Sequence, residues 1–574
     1  MRGTTRTVAI AGISALAMLT AACSGDSGND GSSSTSGSST AGANPSAAAG
    51  GEVSIAGCTP QNPFIPAMTN ETCGGDMLNE VLRGLVHYNS DTAAPELDLA
   101  ESIETSDNQN FTVKLKSGQK FSDGTEVKAK NFVDAWNWNR AGKNGTLNSY
   151  FFDMIDGATD MDCGLVTTKD KETGEDVEAP DCEKKPAKAD TLSGLKVVDD
   201  QTFTIKTTEK VSNLQVRLGY TAFAPLPDSF FEDDGAAFGK LPIGAGPYKM
   251  ESYDPASGAV LVKNADYTGD FGGKVDKITF KIYQDAEAAY KDVQANQTDL
   301  LPSLPGSALQ GETYKSDLPD RNAEKATGVI QTITFASPKS GDKSLENVEL
   351  RKAISMAIDR ELIIKTILAN ARTPATGWVS PIVDGYKADT CGEACKFDAA
   401  KAKAAFDAAG GYSGTLTLTY NADGDHKGWT EATCNSIKEA LGVECKAVAS
   451  PDFATFRTLI TDRKMKGMFR TGWQMDYPSI ENFLAPIYGT GAGSNDGDYS
   501  SEKFDTLLKE AAAAEDPAAA NAKYQEAEAQ LAVDMPSIPM WYGKAVAGWS
   551  ENVENVKITP FGTIDLASVT KKAS

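Results

Sequence analysis

LRKAISMAIDRELIIKTIL, residues 350–368, sets apolar Leu350, Ala353, Ile354, Ala357, Ile358 and Leu362 at helical spacing, behind Asn347 as a cap and with Glu349 in the first turn. The spacing predicts one amphipathic helix. On either side the period changes. KITFKIY (277–283) before it and TLTLTY (415–420) after it alternate in polarity residue by residue, as do FTVKLK (111–116) and TFTIKT (202–207), and all four read as half-buried strands. Helical spacing returns in AAKAKAAFDAA (399–409), capped by Asp398 and ended by Gly410 and Gly411, and in two helices near 502–514 and 518–533 that straddle Asp516 and Pro517. Strands separated by helices, without an internal repeat, predict an α/β fold with crossover units and parallel strand pairs. Two polar stretches, 163–190 and 489–500, read as surface loops, because burying so many polar groups would be costly.

A chain of 574 residues exceeds one hydrophobic core and predicts two or three domains. Residues 1–22 carry Arg2 and Arg6 ahead of an apolar run from Val8 to Ala22, too short to span a bilayer and patterned like an export signal. Leu19, Thr20, Ala21 and Ala22 lead into Cys23 as a lipobox does, with Thr20 where Leu is usual. The reading is therefore a lipidated Cys23 followed by a flexible tether, 23–51, of Ser, Gly, Ala and small polar residues. The net charge of −24, more negative still without Arg2 and Arg6, repels nucleic acid and argues against it as a partner.

Nine cysteines leave eight once Cys23 is assigned to lipid: Cys58, Cys73, Cys163, Cys182, Cys391, Cys395, Cys434 and Cys445. An even number outside the cell points to disulfides, and pairing of sequence neighbours is the simplest of about 105 connectivities, with metal ligation or free thiols as alternatives. Only two histidines, His87 and His426, and no paired Cys-x-x-Cys clusters argue against a zinc site, and no cofactor is expected. His87 reads as a solvated strand-end residue. Neither a Gly-x-Ser-x-Gly elbow nor a phosphate loop ending in Gly-Lys-Ser/Thr occurs, so the chain reads as a non-enzyme. The alternative of another class, an exported hydrolase, would need a nucleophile or carboxylate pair.

Several stretches, in order, resemble the solute-binding proteins of family 5 that serve ABC importers, the oligopeptide- and dipeptide-binding lipoproteins. They are LRGLVHYN (82–89), FSDGTEVKAKNFVDAWNW (121–138) with Glu126 where Pro is common, LPIGAGPYKM (241–250) with Ala245 for Thr, LRKAISMAIDRELI (350–363), GWQMDYPSIENFLAPIYG (472–489), YSSEKFDTLL (499–508) and DMPSIPMWY (534–542). Each is weak alone; their order and spacing carry the likeness. It implies a two-lobed periplasmic-binding-protein-like fold of type II, the large cluster with an extra subdomain, and a hinge between the lobes. By resemblance lobe I holds 52–90, 195–330 and 543–574, the extra subdomain 91–194, and lobe II 331–542.

The same likeness implies a peptide ligand, permease subunits as membrane partners, a monomeric state and a lipid-anchored position on the extracytoplasmic face of the membrane. Asp476 stands where similar proteins place the aspartate that meets the peptide's ammonium group. Trp473 and Tyr477 flank it as cleft walls, the backbone near Gly472 and Trp473 pairs with ligand as an added strand would, and Leu85 lies in an early strand with ordinary packing as its simpler role. Two matters stay open on the residues alone. Asp476 could cap the helix of SIENFL (479–484), and Arg83 could meet a ligand carboxylate or pair within its lobe. Related scaffolds also bind nickel chelates, oligosaccharides, glutathione or opines.

Overall fold

The computed structural model describes residues 50–572 except 70, 170–175, 284, 341, 423–425 and 452. The export signal 1–22, Cys23 and nearly all of the 23–51 tether lie outside the described residues.

An eleven-stranded sheet runs through the molecule. Its strands are β1 (Glu52–Gly57), β2 (Tyr248–Asp254), β3 (Gly258–Lys263), β4 (Lys277–Ile282), β5 (Leu300–Leu301), β6 (Asn322–Phe335), β7 (Arg372–Pro374), β8 (Leu416–Asn421), β9 (Cys445–Ser450), β10 (Met468–Gln474) and β11 (Ser537–Trp549). The spatial order is β2-β3-β4-β1-β5-β11-β6-β10-β8-β9, with β7 beside β11. Parallel pairs occur where the alternation of strand and helix predicts them: β1 with β4 in register Ile55 to Phe280, and β8 with β9. A separate antiparallel sheet of Ala100–Thr105, Asn110–Leu115, Thr202–Lys206 and Leu195–Asp199 contains two of the expected strands.

Apolar side chains gather in two main clusters. The first draws on residues 53–300, Tyr477 and 547–569, with Trp136 packed edge-on against Phe203 and Phe223 at 5.6 and 5.3 Å. The second is built from residues 330–542. β6 and β11 carry the chain between them, and their ladder is interrupted on β6 between Ala326 and Ile330, a bulge that bends and twists a strand locally. The architecture is thus α/β and two-lobed, with the bend in its sheet between the lobes.

The helix expected over 350–368 is two helices, α2 (Val348–Met356) and α3 (Arg360–Thr366), where α1 is Thr72–Val81. Asp359 causes the break: its carboxylate accepts from the Leu362 amide at 2.9 Å and starts a new helix. Arg360 then turns inward and donates to the Pro539 and Ser355 carbonyls and to Ser355 Oγ. Leu362, placed in the apolar stripe by its spacing, is 53% exposed, while Ile363 and Ile364 are buried instead. A second correction concerns 163–190, which is not wholly loop: Leu165–Lys169 and Asp176–Pro180 pair antiparallel. The eight cysteines stand as four pairs of sequence neighbours, 58 with 73, 163 with 182, 391 with 395 and 434 with 445, with Cα–Cα distances of 5.3, 4.8, 5.7 and 4.9 Å. Among the described residues no helix is long and apolar enough to cross a membrane.

Candidate functional site

Where the strand β10 leaves the sheet, Gln474–Asp476 meets α1, the segment after it, Gly219–Ala224 and the distant stretch 559–567, and together they enclose a cavity of about 400 Å³. Elements of both lobes therefore wall it. Gly219 is required there, since a Cβ would fall 2.4 Å from the Tyr88 ring, itself held by a hydrogen bond from its hydroxyl to the Val216 carbonyl.

Asp476 lies on this wall. Its amide donates to Asn482 Oδ1 at 2.9 Å, and Asn482 Nδ2 donates back to its Oδ2 at 3.0 Å. The Trp473 indole N–H donates to the same Asn482 oxygen at 3.0 Å. Asn482, almost fully buried, thus fixes the acid and the tryptophan together, a role that no motif announced. Capping of the short helical turn Ile480–Phe483 falls to Ser479, so the Asp476 carboxylate is not spent on it. Burial pushes Asp476 up to about 6, against the lowering effect of the Asn482 hydrogen bond, and no cation of the described residues pairs with it. Burial, and after it the Asp476 charge, also holds the Tyr88, Tyr150 and Tyr220 phenols above their usual range.

The other expected site residues fall elsewhere. Tyr477, next in sequence, points away into the first core, where its hydroxyl donates to Glu481 Oε2 at 2.6 Å and the Arg217 guanidinium sits 5.5 Å from its ring. Leu85 is fully buried and does not reach the cavity; its carbonyl accepts from the amides of Asp98 and Ala100. Gly472 and Trp473 line a separate hollow of about 180 Å³ on the second lobe. Gly472 lets β10 lie close to β6, since a Cβ would stand 2.9 Å from the Ile330 carbonyl. β6 pairs with β10 along its whole length, whereas β8 pairs with it only at Met468 and Phe469, so the far side of 470–474 is a strand edge without a neighbouring strand among the described residues.

Arg83 pairs within its lobe, its Nε 3.5 Å from Asp98 and its other nitrogens on the Asn79, Leu82 and Phe271 carbonyls. His87 is not a solvated residue: it stacks on Phe271 at 4.2 Å between ring centres, and burial with the nearby Arg83 charge lowers it to about 4, so it stays neutral at physiological pH. Asp76 and Glu80, one turn apart on α1, also line the cavity. Burial, and for Asp76 the charges of Glu80 and Glu71, pushes both up to about 7; Arg83 pulls Glu80 back in part while Asp565 opposes it.

These shifts carry a sign. A carboxyl held higher in the folded protein than in the unfolded chain stabilises fully only below its unfolded value and loses that contribution as pH rises through its folded value. Glu80→Gln should therefore match the parent in stability below about pH 4, gain on it between about 4.5 and 7, and keep a constant advantage above. Urea denaturation of both at four pH values measures the difference; an advantage that shrinks toward alkaline pH would contradict the burial account.

Comparison with known proteins gives one pattern. The profile of bacterial extracellular solute-binding proteins, family 5 Middle, matches residues 94–495. The oligopeptide-binding protein OppA of Bacillus subtilis is 24% identical over 515 residues, spanning 87% of this chain and 89% of that protein. The glutathione-binding protein GsiB of Salmonella typhimurium is 24% identical over 86% of this chain and 90% of its own. Among solved structures, Haemophilus influenzae OppA in complex with RPPGFSPFR superposes with a TM-score of 0.71 at 20% identity, covering 92% of this chain and 100% of that one.

Proposed function

The chain belongs to the bacterial extracellular solute-binding proteins of family 5, and from that membership we propose that it captures peptides in its cleft and hands them to the membrane permease of an ABC importer. The observation that carries the peptide reading is Asp476: a carboxylate on the cavity wall, held by Asn482 and paired with no cation among the described residues. A peptide ammonium taken from water needs such a partner, because an unpaired buried charge is costly. The edge at 470–474 can offer backbone groups to an extended chain regardless of its side chains, which suits a ligand of varied sequence. Relatives named for oligopeptide binding support the same ligand class.

Around this core the proposal has further parts. Lobe I comprises 52–90, 195–330 and 543–574 with the subdomain 91–194, lobe II comprises 331–542, and the β6 bulge serves as the hinge; the two separate apolar clusters support that division. Ligand touching both lobes biases them toward closure. The protein works as a monomer tethered by lipid at Cys23 on the extracytoplasmic face, stapled by four disulfides between the neighbouring cysteines, and makes or breaks no covalent bond in its ligand.

Calorimetric titration of the full chain with Ala-Ala-Ala, its N-acetyl copy, a maltooligosaccharide and a nickel chelate tests the reading. The free-amine peptide should bind and raise the melting temperature, as any ligand of the folded state does, and acetylation should abolish both effects. Equal binding of the acetylated copy would remove Asp476 from its role; binding of only the sugar or the chelate would remove the peptide.

A further inference from the structure

Three carboxylates on the cavity wall have no use in the reading so far: Asp76 and Glu80 on α1, and Asp565 on the 559–567 segment. None has a hydrogen-bond or ion-pair partner among the described residues. The neighbouring acid is different, since Glu71 is spent as the α1 cap, accepting from the Gly74 amide at 3.0 Å. The wall's only arginine, Arg83, is engaged by Asp98 and by three carbonyls. His87 is neutral. Lys325 and Lys557, whose charges bear on Asp565, are themselves held by Ser90 and Asp91 and make no ion pair with it.

Such a wall works against the fold's own stability. Asp76 and Glu80 are like charges at i and i+4 on one helix face, and holding them half-buried without an ion pair adds a desolvation cost. Desolvation raises both most, and at Glu80 the Arg83 charge offsets it only in part. Something that fills the cavity would relieve this cost if it brought positive charge. An inorganic ion is the poorer candidate, because among the described residues no three His, Cys, Asp or Glu side chains converge as metal ligands do. A long organic cation, with donors at the end of an apolar stem, suits acids that lie on two separate elements of one cavity.

Resting on the peptide reading above, we propose that this wall selects ligands with a second positive charge beyond the ammonium at Asp476, namely peptides carrying a lysine- or arginine-type side chain, and that Asp76, Glu80 and Asp565 set this preference. The cleft then distinguishes peptides by charge while its strand edge leaves the rest of their sequence free.

The test titrates the full chain with tripeptides of alanine in which lysine, norleucine or glutamate stands at each position in turn, and with Ala-Ala-Ala, spermidine and calcium chloride. Lysine should bind at least ten-fold tighter than norleucine at one position or more, with glutamate weaker than either. The gain should vanish in Asp76→Asn/Glu80→Gln, so that the lysine and norleucine peptides bind this variant alike. Asp565→Asn, on a different element, should reduce it independently, so misfolding of an α1 variant does not decide the matter. Peptides that bind without a lysine preference overturn the charge selection and leave the peptide reading standing. Spermidine binding that depends on Glu80, with no peptide bound, upholds the cationic wall and overturns the peptide. Binding of neither peptides nor spermidine, or lysine selectivity displaced by calcium through the same residues, overturns the inference.

Discussion

Asp476→Asn should weaken the binding of free-amine peptides by about 30-fold or more, corresponding to the 2 kcal/mol or more that losing one partner of a buried charge pair typically costs. The substitution is nearly isosteric. Asn482 can still donate to the retained side-chain oxygen, so the local turn with Trp473 should survive. The empty variant should in fact be the more stable of the two at neutral pH. Asp476 is held at about 6 in the folded protein against an unfolded value near 3.8, so the parent loses stability as pH climbs through that window and the asparagine does not. A crossover results: the variant melts higher without peptide and lower with it. Scanning calorimetry at pH 7 with and without a saturating tripeptide reads both halves. A merely structural aspartate would produce no crossover. In the parent, peptide affinity should also decline as pH falls below about 6, since a protonated carboxyl no longer attracts an ammonium group.

Arg217→Met should cost about 3–5 kcal/mol of stability, the usual consequence of leaving a buried charge without its partner. Glu481 is buried and accepts from the Tyr477 hydroxyl at 2.6 Å and Asn213 Nδ2 at 3.1 Å, with Arg217 at 3.2 Å as its only cation among the described residues. Arg217 comes from the segment before Gly219 on the first lobe, whereas Glu481 belongs to the turn after β10, so the pair joins the two lobes beside the hydrogen bond from Asn213 Nδ2 to Ser479 Oγ. Urea denaturation should show the midpoint shift without a change of slope. The double substitution Arg217→Met/Glu481→Met should recover much of the loss, because two apolar side chains can replace a buried pair at little cost. A single-variant cost below about 1 kcal/mol would mean that the glutamate is effectively solvated.

Much of the fold could be read from residue periods. The four alternating stretches became strands within a residue or two of their expected ends, and Asp398 and Asp516 cap the helices they precede. The break at Asp359 was missed because an aspartate inside an apolar period looks like a solvated face. Only its neighbour shows why the helix restarts there, and Arg360 finds its acceptors on β11, far away in the chain. The site divided along similar lines. Asp476 could be singled out through the likeness of GWQMDYPS to the family's motif, and the structure puts it on the cavity wall. Tyr477 was not, since which of two adjacent residues faces the cavity depends on how the chain turns after β10, and that turn is set by Asn482 and the first lobe. Asp76 and Glu80 were in plain view at helical spacing, but nothing local shows that residues 559–567 will fold over them and convert a charged surface into a cavity wall.

The two apolar clusters differ in how the chain composes them, and this bears on the order in which the protein can be made. The second is assembled from one unbroken stretch, 330–542, while the first waits for Val553, Ile558, Ile564, Leu566 and Val569. A chain that emerges from its N-terminus keeps the first cluster without these five side chains throughout the time in which 330–542 is delivered and packs. That interval is when holding chaperones should matter most. It also means that the cavity wall formed by 559–567 is in place only after both of the other parts have been synthesised.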